Sequence, residues 1–174
     1  MRICGVDPGL QVTGYGVIDL AGDRANVVDA GTIKSDAGEE LPIRLRQIYR
    51  DLCEVLDEHE PDILAVENVY SHYSHPQTAV VMAHARGMVL LAAAERDIEV
   101  CSFAATQIKR ALTGNGRASK MQMQQAVRMN LGLDVVPEPH DVADALAIAL
   151  CQAVHEKPAA TRAQRTGEIG VVGP

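Results

Sequence analysis

Hydrophobic and polar positions along the chain predict alternating strands and helices. Short apolar runs bounded by turn residues are typical of buried strands, and such runs occupy residues 2–7, 13–20, 25–34, 63–67 and 98–103. Apolar residues at helical spacing predict helices at residues 40–59, 78–95, 105–112, about 119–131 and 141–156. We therefore expect an α/β fold, in which a mixed sheet joins a three-strand meander to crossover strands and is flanked by helices.

The length of the chain and its last residues indicate how it is organised. A chain of 174 residues suits one domain, expected at 1–156, whereas residues 157–174 lack periodicity and are expected to form a flexible tail. No apolar stretch reaches the roughly 20 residues that a membrane-spanning helix needs, and the first residues do not resemble a signal peptide. The four cysteines are widely spaced, without a C-x-x-C pair. We expect the cysteines to be reduced core residues and the protein to be cytoplasmic.

The distribution of charge differs from what the net charge indicates. The chain carries a net charge of −7, which by itself argues against a nucleic-acid partner. Residues 104–133, however, contain no Asp or Glu and contain five basic residues: Lys109, Arg110, Arg117, Lys120 and Arg128. The rest of the chain therefore carries about −12, and such asymmetry predicts one local basic surface on an acidic body.

Carboxylates stand at the ends of three predicted elements. Asp7 ends the first strand and Glu67 ends the fourth, while Asp141 and Asp144 stand at the start of the last helix. Their i and i+3 spacing makes both project from one helix face. Clustered carboxylates repel one another and are stabilised by a cation or by protons, and oxygen ligands without thiolates suit Mg²⁺ or Mn²⁺. Together with the basic stretch, these residues indicate a nuclease.

Simpler explanations exist for some of these residues. Asp7 in the sequence DPG also suits the start of a turn, and Asp141 also suits a helix cap. His140 fits a metal ligand, a general base or a solvated histidine at a helix start. Glu67 and Asp144 have weaker structural explanations, because neither occupies a turn or a capping position. The functional interpretation is therefore strongest for these two residues.

Two loops carry residues that favour nucleic-acid binding. Tyr70 and Tyr73 lie in the polar loop 68–77, where aromatic rings can stack on unpaired or distorted bases; the alternative is that they cover the edge of the core. The loop 113–120, TGNGRASK, combines basic residues with glycines, which permit close approach of the backbone to phosphates. It lacks the spacing of a Walker motif, and its alternative interpretation is a solvated basic face.

Five motifs, taken in their order and spacing, resemble one known family. They are GVDPGLQVTGYGV (5–17), AVENVY (65–70), HARG (84–87), TGNGRASK (113–120) and DVADALAIAL (141–150). The set resembles the RuvC Holliday junction resolvases and covers nearly all of residues 1–156. The resemblance implies a ribonuclease-H-like fold and a homodimer that makes paired nicks in strands of like polarity at a four-way junction, in recombination and repair. It also implies two Mg²⁺ ions per active site, with Mn²⁺ as a substitute, and RuvA and RuvB as partners.

The resemblance also implies roles for individual residues. It makes Asp7, Glu67, Asp141 and Asp144 the catalytic metal ligands, with His140 as a candidate assistant because some members have histidine at the third ligand. It puts Tyr70 where the family has an aromatic residue, usually phenylalanine, that acts on junction bases. The residues expected to bind DNA, from the two loops and the resemblance together, are Tyr70, Tyr73, Arg86, Lys109, Arg117 and Lys120.

Two rival functions remain open from the sequence. Actin-like sugar kinases and ATPases also begin with a strand, an aspartate and glycines, but they need two such domains around the nucleotide, and 174 residues supply one. A junction-binding protein without catalysis is the second rival. Metal-dependent cleavage of a synthetic four-way junction separates this rival from a nuclease.

Overall fold

The computed structural model describes residues 1–69 and 76–156, and each helix and strand predicted there is present. The strands are β1 (Arg2–Asp7), β2 (Val12–Ala21), β3 (Arg24–Lys34), β4 (Ile63–Glu67) and β5 (Glu99–Phe103). The helices are α1 (Leu41–His59), α2 (Pro76–Ala94), α3 (Ala105–Thr113), α4 (Lys120–Asn130) and α5 (His140–Glu156). Their ends differ from the predicted ends by no more than two residues. The tail predicted at 157–174 lies outside the described residues.

The strands form one mixed sheet in the order β3-β2-β1-β4-β5. β1 pairs antiparallel with β2, and β2 pairs antiparallel with β3, which is the predicted meander. β4 pairs in parallel with β1 on its other side, and β5 pairs in parallel with β4. The predicted mixed sheet is therefore confirmed. Because β1 and β4 are parallel neighbours, their carboxyl ends lie side by side at the same end of the sheet.

Each face of the sheet has its own hydrophobic core. Residues of α1 and α2 cover one face, where Cys4, Val6 and Val17 are fully buried. Residues of α3, α4 and α5 cover the other face, where Ile3 and Ile18 are fully buried. This division follows from the two-residue period of a strand, which points neighbouring side chains to opposite faces.

Helix α5 packs directly on glycines of β1 and β2. A Cβ atom added at Gly5 would lie 2.2 Å from the carbonyl oxygen of Ala145, and one added at Gly14 would lie 2.1 Å from that of Asp141. Such distances leave no room for any side chain, so the helix backbone rests on the strand backbone. Glycine inside a strand often marks this kind of close backbone approach. The position of α5 over the sheet therefore depends on these two residues.

The basic stretch forms α3, α4 and the loop between them, on the face that α5 also covers. α3 is capped at its carboxyl end by Gly114, whose φ of 74° lies in the left-handed region that glycine favours. α4 begins with a capping box, in which Ser119 Oγ accepts from the Gln122 amide and Gln122 Oε1 accepts from the Ser119 amide. The basic residues are thus carried by defined structure beside α5.

Two further sequence predictions concern membranes and thiols. Within the two described ranges, no helix has the length and the apolar character that crossing a bilayer requires. The four cysteines are free thiols, as predicted; Cys4 and Cys151 are buried, whereas Cys53 and Cys101 are half-buried. The thiols are therefore less uniformly part of the core than the apolar runs around them would indicate.

Candidate active site

Asp7 and Glu67 end the two central parallel strands on the same face of the sheet. The last residue pair in the register of β1 with β4 is Val6 with Val66, so the two acids are the residues that directly follow it. Their side chains alternate with those of the pair before and point to the face that α5 covers. Neighbouring strands lie about 4.8 Å apart. The two strand ends therefore bring these carboxylates close together, as the sequence predicted.

Helix α5 adds the other two carboxylates from above. Gly14 is the partner of Asp7 in the register of β1 with β2, and the backbone of Asp141 lies directly on Gly14. Asp144 follows one turn later, on the same face of the helix. The close packing of α5 on the glycines thus delivers both helix carboxylates to the end of β1.

The four carboxylates form one electrostatic unit, which we call the acidic cluster: Asp7, Glu67, Asp141 and Asp144. Burial and, after it, the negative charges of the other three members together raise the pKa of Asp7 to about 7. Burial, followed by the charge of Asp144, also raises the pKa of Glu67. The charged form of this cluster is therefore costly to the folded protein, and a cation among the carboxylates would lower that cost.

The donor set of the acidic cluster suits a hard divalent cation. All four side chains offer carboxylate oxygens and none offers sulfur, which favours Mg²⁺ or Mn²⁺. As these side chains stand, however, no three Asp, Glu, His or Cys residues in the described ranges converge into a group that could hold a metal ion. The chemistry of the residues fits the metal, although a closed cage is not preformed.

Basic side chains border the acidic cluster. Lys120 Nζ lies 3.5 Å from Asp144 Oδ2, and its charge acts on Asp7 against the effect of burial. Burial raises the pKa of Glu67, and the positive charge of Lys109 opposes this by lowering it. The predicted assistant, His140, has Nδ1 3.4 Å from Asp141 Oδ2 and an exposed ring. Both lysines that were predicted to bind DNA therefore lie beside the carboxylates.

The remaining predicted DNA-binding residues have different surroundings. Arg117 is exposed in the loop between α3 and α4, and its backbone amide donates to Asn115 Oδ1 at 2.9 Å. Arg86 is half-buried, and its guanidinium donates to the carbonyl oxygen of Glu67 and to two side chains. Tyr70 and Tyr73 lie outside the described residues. DNA contact stays a prediction for all of these residues.

Two features of the site were missed by the sequence analysis. The first is the set of glycines beneath α5, although Gly14 and Gly16 stand at alternate positions inside a predicted strand, which is a signal for close backbone approach. The second is the contact of Arg86 with the backbone of Glu67. Arg86 and Glu67 are 19 positions apart in the sequence, and no local pattern connects them.

The raised pKa of Asp7 predicts how the stability of the metal-free protein depends on pH. Its folded pKa of about 7 lies above the ordinary value of about 3.9, so the folded state binds the proton more tightly and gains stability as the pH falls through 7. We expect the free energy of unfolding in EDTA to be about 1 kcal/mol higher at pH 6 than at pH 8. Urea unfolding followed by circular dichroism measures this difference.

The Asp7→Asn variant tests whether Asp7, and not another titrating group, causes this pH dependence of stability. It removes the buried charge, so we expect it to be more stable than the wild type at pH 8 by about 1–3 kcal/mol without metal, and to lose most of the difference between pH 6 and pH 8. If the variant keeps the full wild-type difference, another group is responsible.

The fold and the acidic cluster together define a class of protein. A five-stranded mixed sheet of this order, with carboxylates at the ends of its two central strands and on the helix packed over them, defines a ribonuclease-H-like protein. Comparison with known proteins supports this class and narrows it. A family model described as crossover junction endodeoxyribonuclease RuvC matches residues 3–152.

Individual relatives agree with the family model. The crossover junction endodeoxyribonuclease RuvC of Rhodopirellula baltica is 51% identical over 149 residues, which is 86% of this chain and 84% of the relative. The solved structure of Thermus thermophilus RuvC is 35% identical, with a TM-score of 0.83 over 89% of this chain and 95% of that chain. The same protein in complex with Holliday junction substrate gives a TM-score of 0.84 at 35% identity, over 89% and 94%. The chain belongs to the RuvC family, and the predicted ribonuclease-H-like fold is confirmed.

Proposed function

We propose that this protein is a metal-dependent endonuclease that resolves Holliday junctions in recombination and repair, by hydrolysing phosphodiester bonds in strands of like polarity. The observation that carries the proposal is the acidic cluster at the end of β1 and β4, bordered by lysines, in a chain of the RuvC family. A structural relative at 35% identity is known in complex with Holliday junction substrate, which supports four-way DNA as the substrate here.

The acidic cluster would hold the metal ions. Two Mg²⁺ ions held by these four carboxylates would supply an activated water for attack on the phosphodiester and would stabilise the leaving oxygen. Burial and the neighbouring charges raise the pKa of Asp7 to about 7. Its negative charge is therefore strongly disfavoured without a cation, and a bound metal ion would stabilise it. His140 contacts Asp141 and would assist by orienting this carboxylate. Mn²⁺ would serve as a substitute, because it accepts the same oxygen donors.

DNA phosphates would meet the basic residues beside the acidic cluster. Lys109 and Lys120 act electrostatically on its carboxylates, so a phosphate that they bind would be near the metal ions. Arg117 is exposed in the neighbouring loop and would extend the contact along the strand. Tyr70 and Tyr73 follow Glu67 closely in the sequence and would stack on bases at the junction.

Paired cleavage requires two active sites, so we propose a homodimer. Val80 and Leu91 on α2 are 56% and 44% exposed, and such apolar residues favour a helix surface that a second copy could cover. RuvA and RuvB are the proposed partners at the junction. The four free thiols agree with the reducing conditions of the cytoplasm, where we propose that the protein acts.

Cleavage of a synthetic four-way junction is the direct test. The protein should cut the junction in the presence of Mg²⁺, should not cut it in EDTA, and should leave a linear duplex of the same sequence largely intact. The positions of the cuts on denaturing gels should be paired in strands of like polarity. Junction binding without cleavage in both Mg²⁺ and Mn²⁺ would support the rival function of a binding protein and contradict the proposal.

Replacing Lys109 with alanine tests the proposed phosphate contact. Each lost phosphate contact lowers the slope of log Kd against log salt concentration by about 1, so this variant should bind the junction more weakly and with a smaller slope. Fluorescence anisotropy with a labelled junction measures both quantities. Arg24→Ala is the control, because Arg24 is an exposed basic residue at the start of β3, at the end of the sheet opposite to Asp7. Equal slopes for wild type and Lys109→Ala would remove Lys109 from the interface.

A further inference from the structure

The backbone carbonyl of Glu67 has no partner in the sheet. The amide of Asn68 donates to the carbonyl of Phe103 across the pair of β4 with β5, at 2.8 Å. Neighbouring residues of a strand direct their backbone polar groups to opposite sides, so the carbonyl of Glu67 points toward β1. In the register of β1 with β4, the amide of residue 8 would be the next donor. Residue 8 is Pro8, which has no N–H.

Arg86 supplies the donor that β1 lacks. Its Nε donates to the Glu67 carbonyl oxygen at 3.2 Å. Its Nη2 donates to Ser102 Oγ at 2.9 Å and to Asn68 Oδ1 at 3.3 Å. One guanidinium therefore joins α2 to the ends of both β4 and β5, using the fork of donors that distinguishes arginine from lysine.

Arg86 approaches Glu67 from the face of the sheet opposite to the Glu67 carboxylate, so the two side chains do not form an ion pair. α2 covers the face of the sheet where Val6 and Val66 are buried, whereas the carboxylate of Glu67 points to the face under α5. Arg86 thus binds the backbone of Glu67 and not its carboxylate. Fixing a strand-end backbone fixes the direction of the Cα–Cβ bond, and with it the place that the carboxylate can reach.

We propose that Arg86 is a positioning residue, which replaces the strand hydrogen bond missing at Pro8 and so aims the Glu67 carboxylate at the metal ions. The proposal rests on the proposed role of Glu67 as a metal ligand. It gives Arg86 a task other than the DNA contact predicted from the sequence. Loss of partners that orient a metal ligand typically costs about 10–100-fold in metal affinity or activity.

Arg86→Met and Arg86→Lys distinguish positioning from phosphate binding. For positioning, we expect both variants to lower kcat for junction cleavage by about 10–100-fold and to weaken Mn²⁺ binding, measured without DNA by isothermal titration, by about 10-fold. Their Kd for the junction in Ca²⁺ should stay within about 2-fold of the wild type. Lysine keeps the charge but cannot make three bonds in this geometry, so it should not restore the rate.

The opposite pattern would overturn the proposal. Normal kcat and Mn²⁺ affinity, with weaker junction binding and a salt slope smaller by about 1, would make Arg86 a phosphate contact. So would full recovery of the rate in Arg86→Lys. Arg96→Met is the control, because it removes an arginine just beyond the end of α2 whose guanidinium donates to Asp57 and to the Ala92 carbonyl, and it should leave kcat unchanged. Thermal unfolding establishes that each variant is folded.

A double-mutant cycle tests the missing donor itself. Pro8→Ala returns an N–H to residue 8, so the loss of kcat caused by Arg86→Met should be smaller in the Pro8→Ala background than in the wild-type background. An equal loss of kcat in both backgrounds would contradict the idea that the Arg86 guanidinium replaces the amide missing at Pro8. If the wild type itself does not cleave the junction, the proposed function fails, whereas the Mn²⁺ titration still tests Arg86.

Discussion

Replacing Asp7 with asparagine should abolish junction cleavage and leave junction binding largely intact. The carboxylate is lost at the centre of the acidic cluster, where the other three members act on it electrostatically, while the basic residues of α3 and α4 are unchanged. Even changes to groups that only support a metal ligand cost about 10–100-fold, so we expect the rate to fall by at least about 100-fold. Single-turnover cleavage of a labelled junction in Mg²⁺ measures the rate, and anisotropy in Ca²⁺ measures binding.

A second aspartate provides the control for this substitution. Asp23 is exposed in the turn between β2 and β3, at the end of the sheet opposite to Asp7, so Asp23→Asn makes the same change in charge away from the acidic cluster. It should cleave at close to the wild-type rate. A wild-type rate in Asp7→Asn would exclude Asp7 as a metal ligand, and weaker junction binding in this variant alone would indicate a misfolded surface.

Replacing Gly14 with alanine should damage both stability and cleavage. The new Cβ would lie 2.1 Å from the carbonyl oxygen of Asp141, and neither backbone can move without shifting the start of α5. Overpacking of this kind costs about 1–3 kcal/mol and sometimes more, which urea unfolding measures. Displacing catalytic groups by about 1 Å can cost about 100-fold in rate, so cleavage should fall even at temperatures where the variant remains folded.

Gly38→Ala is the control for the added methyl group. Gly38 lies between β3 and α1, and a Cβ there would lie 3.4 Å from Asp36 Oδ1, which is close to ordinary contact. This variant should stay within about 0.5 kcal/mol of the wild type and should cleave normally. Normal stability and normal cleavage in Gly14→Ala would mean that α5 is not held by its backbone contact with β2.

The order of elements was predictable because each one has a clear local pattern. The run ILAVE is short, apolar and preceded by Pro61 and Asp62, which explains why β4 begins and ends where predicted. The meeting of Asp7 with Glu67 was predictable as well, because each is the last residue of a strand and a crossover makes the two strands parallel. The ends of the elements and the topology thus follow from the hydrophobic periodicity, the turn residues and the order of strands and helices in the sequence.

Contacts that depend on register were not predictable in the same way. Moving β1 by one residue against β4 would turn Asp7 to the opposite face, and no local pattern excludes that shift. The missing donor at Pro8 becomes visible only when its place opposite Glu67 is known. The contact of Arg86 with that carbonyl follows from the same register. Tyr70 and Tyr73 lie outside the described residues and stay predictions.

The position of α5 has a consequence for when activity can arise. The strand carboxylates belong to the first and fourth strands, whereas Asp141 and Asp144 belong to the last helix of the described chain. Contacts between such distant parts of a sequence form late, because the loops that they close are long. A chain synthesised only as far as α4 would contain the lysines that we propose bind DNA and would lack half of the acidic cluster. Such a chain would lack two of the four proposed metal ligands, so metal binding would stabilise only the completed fold.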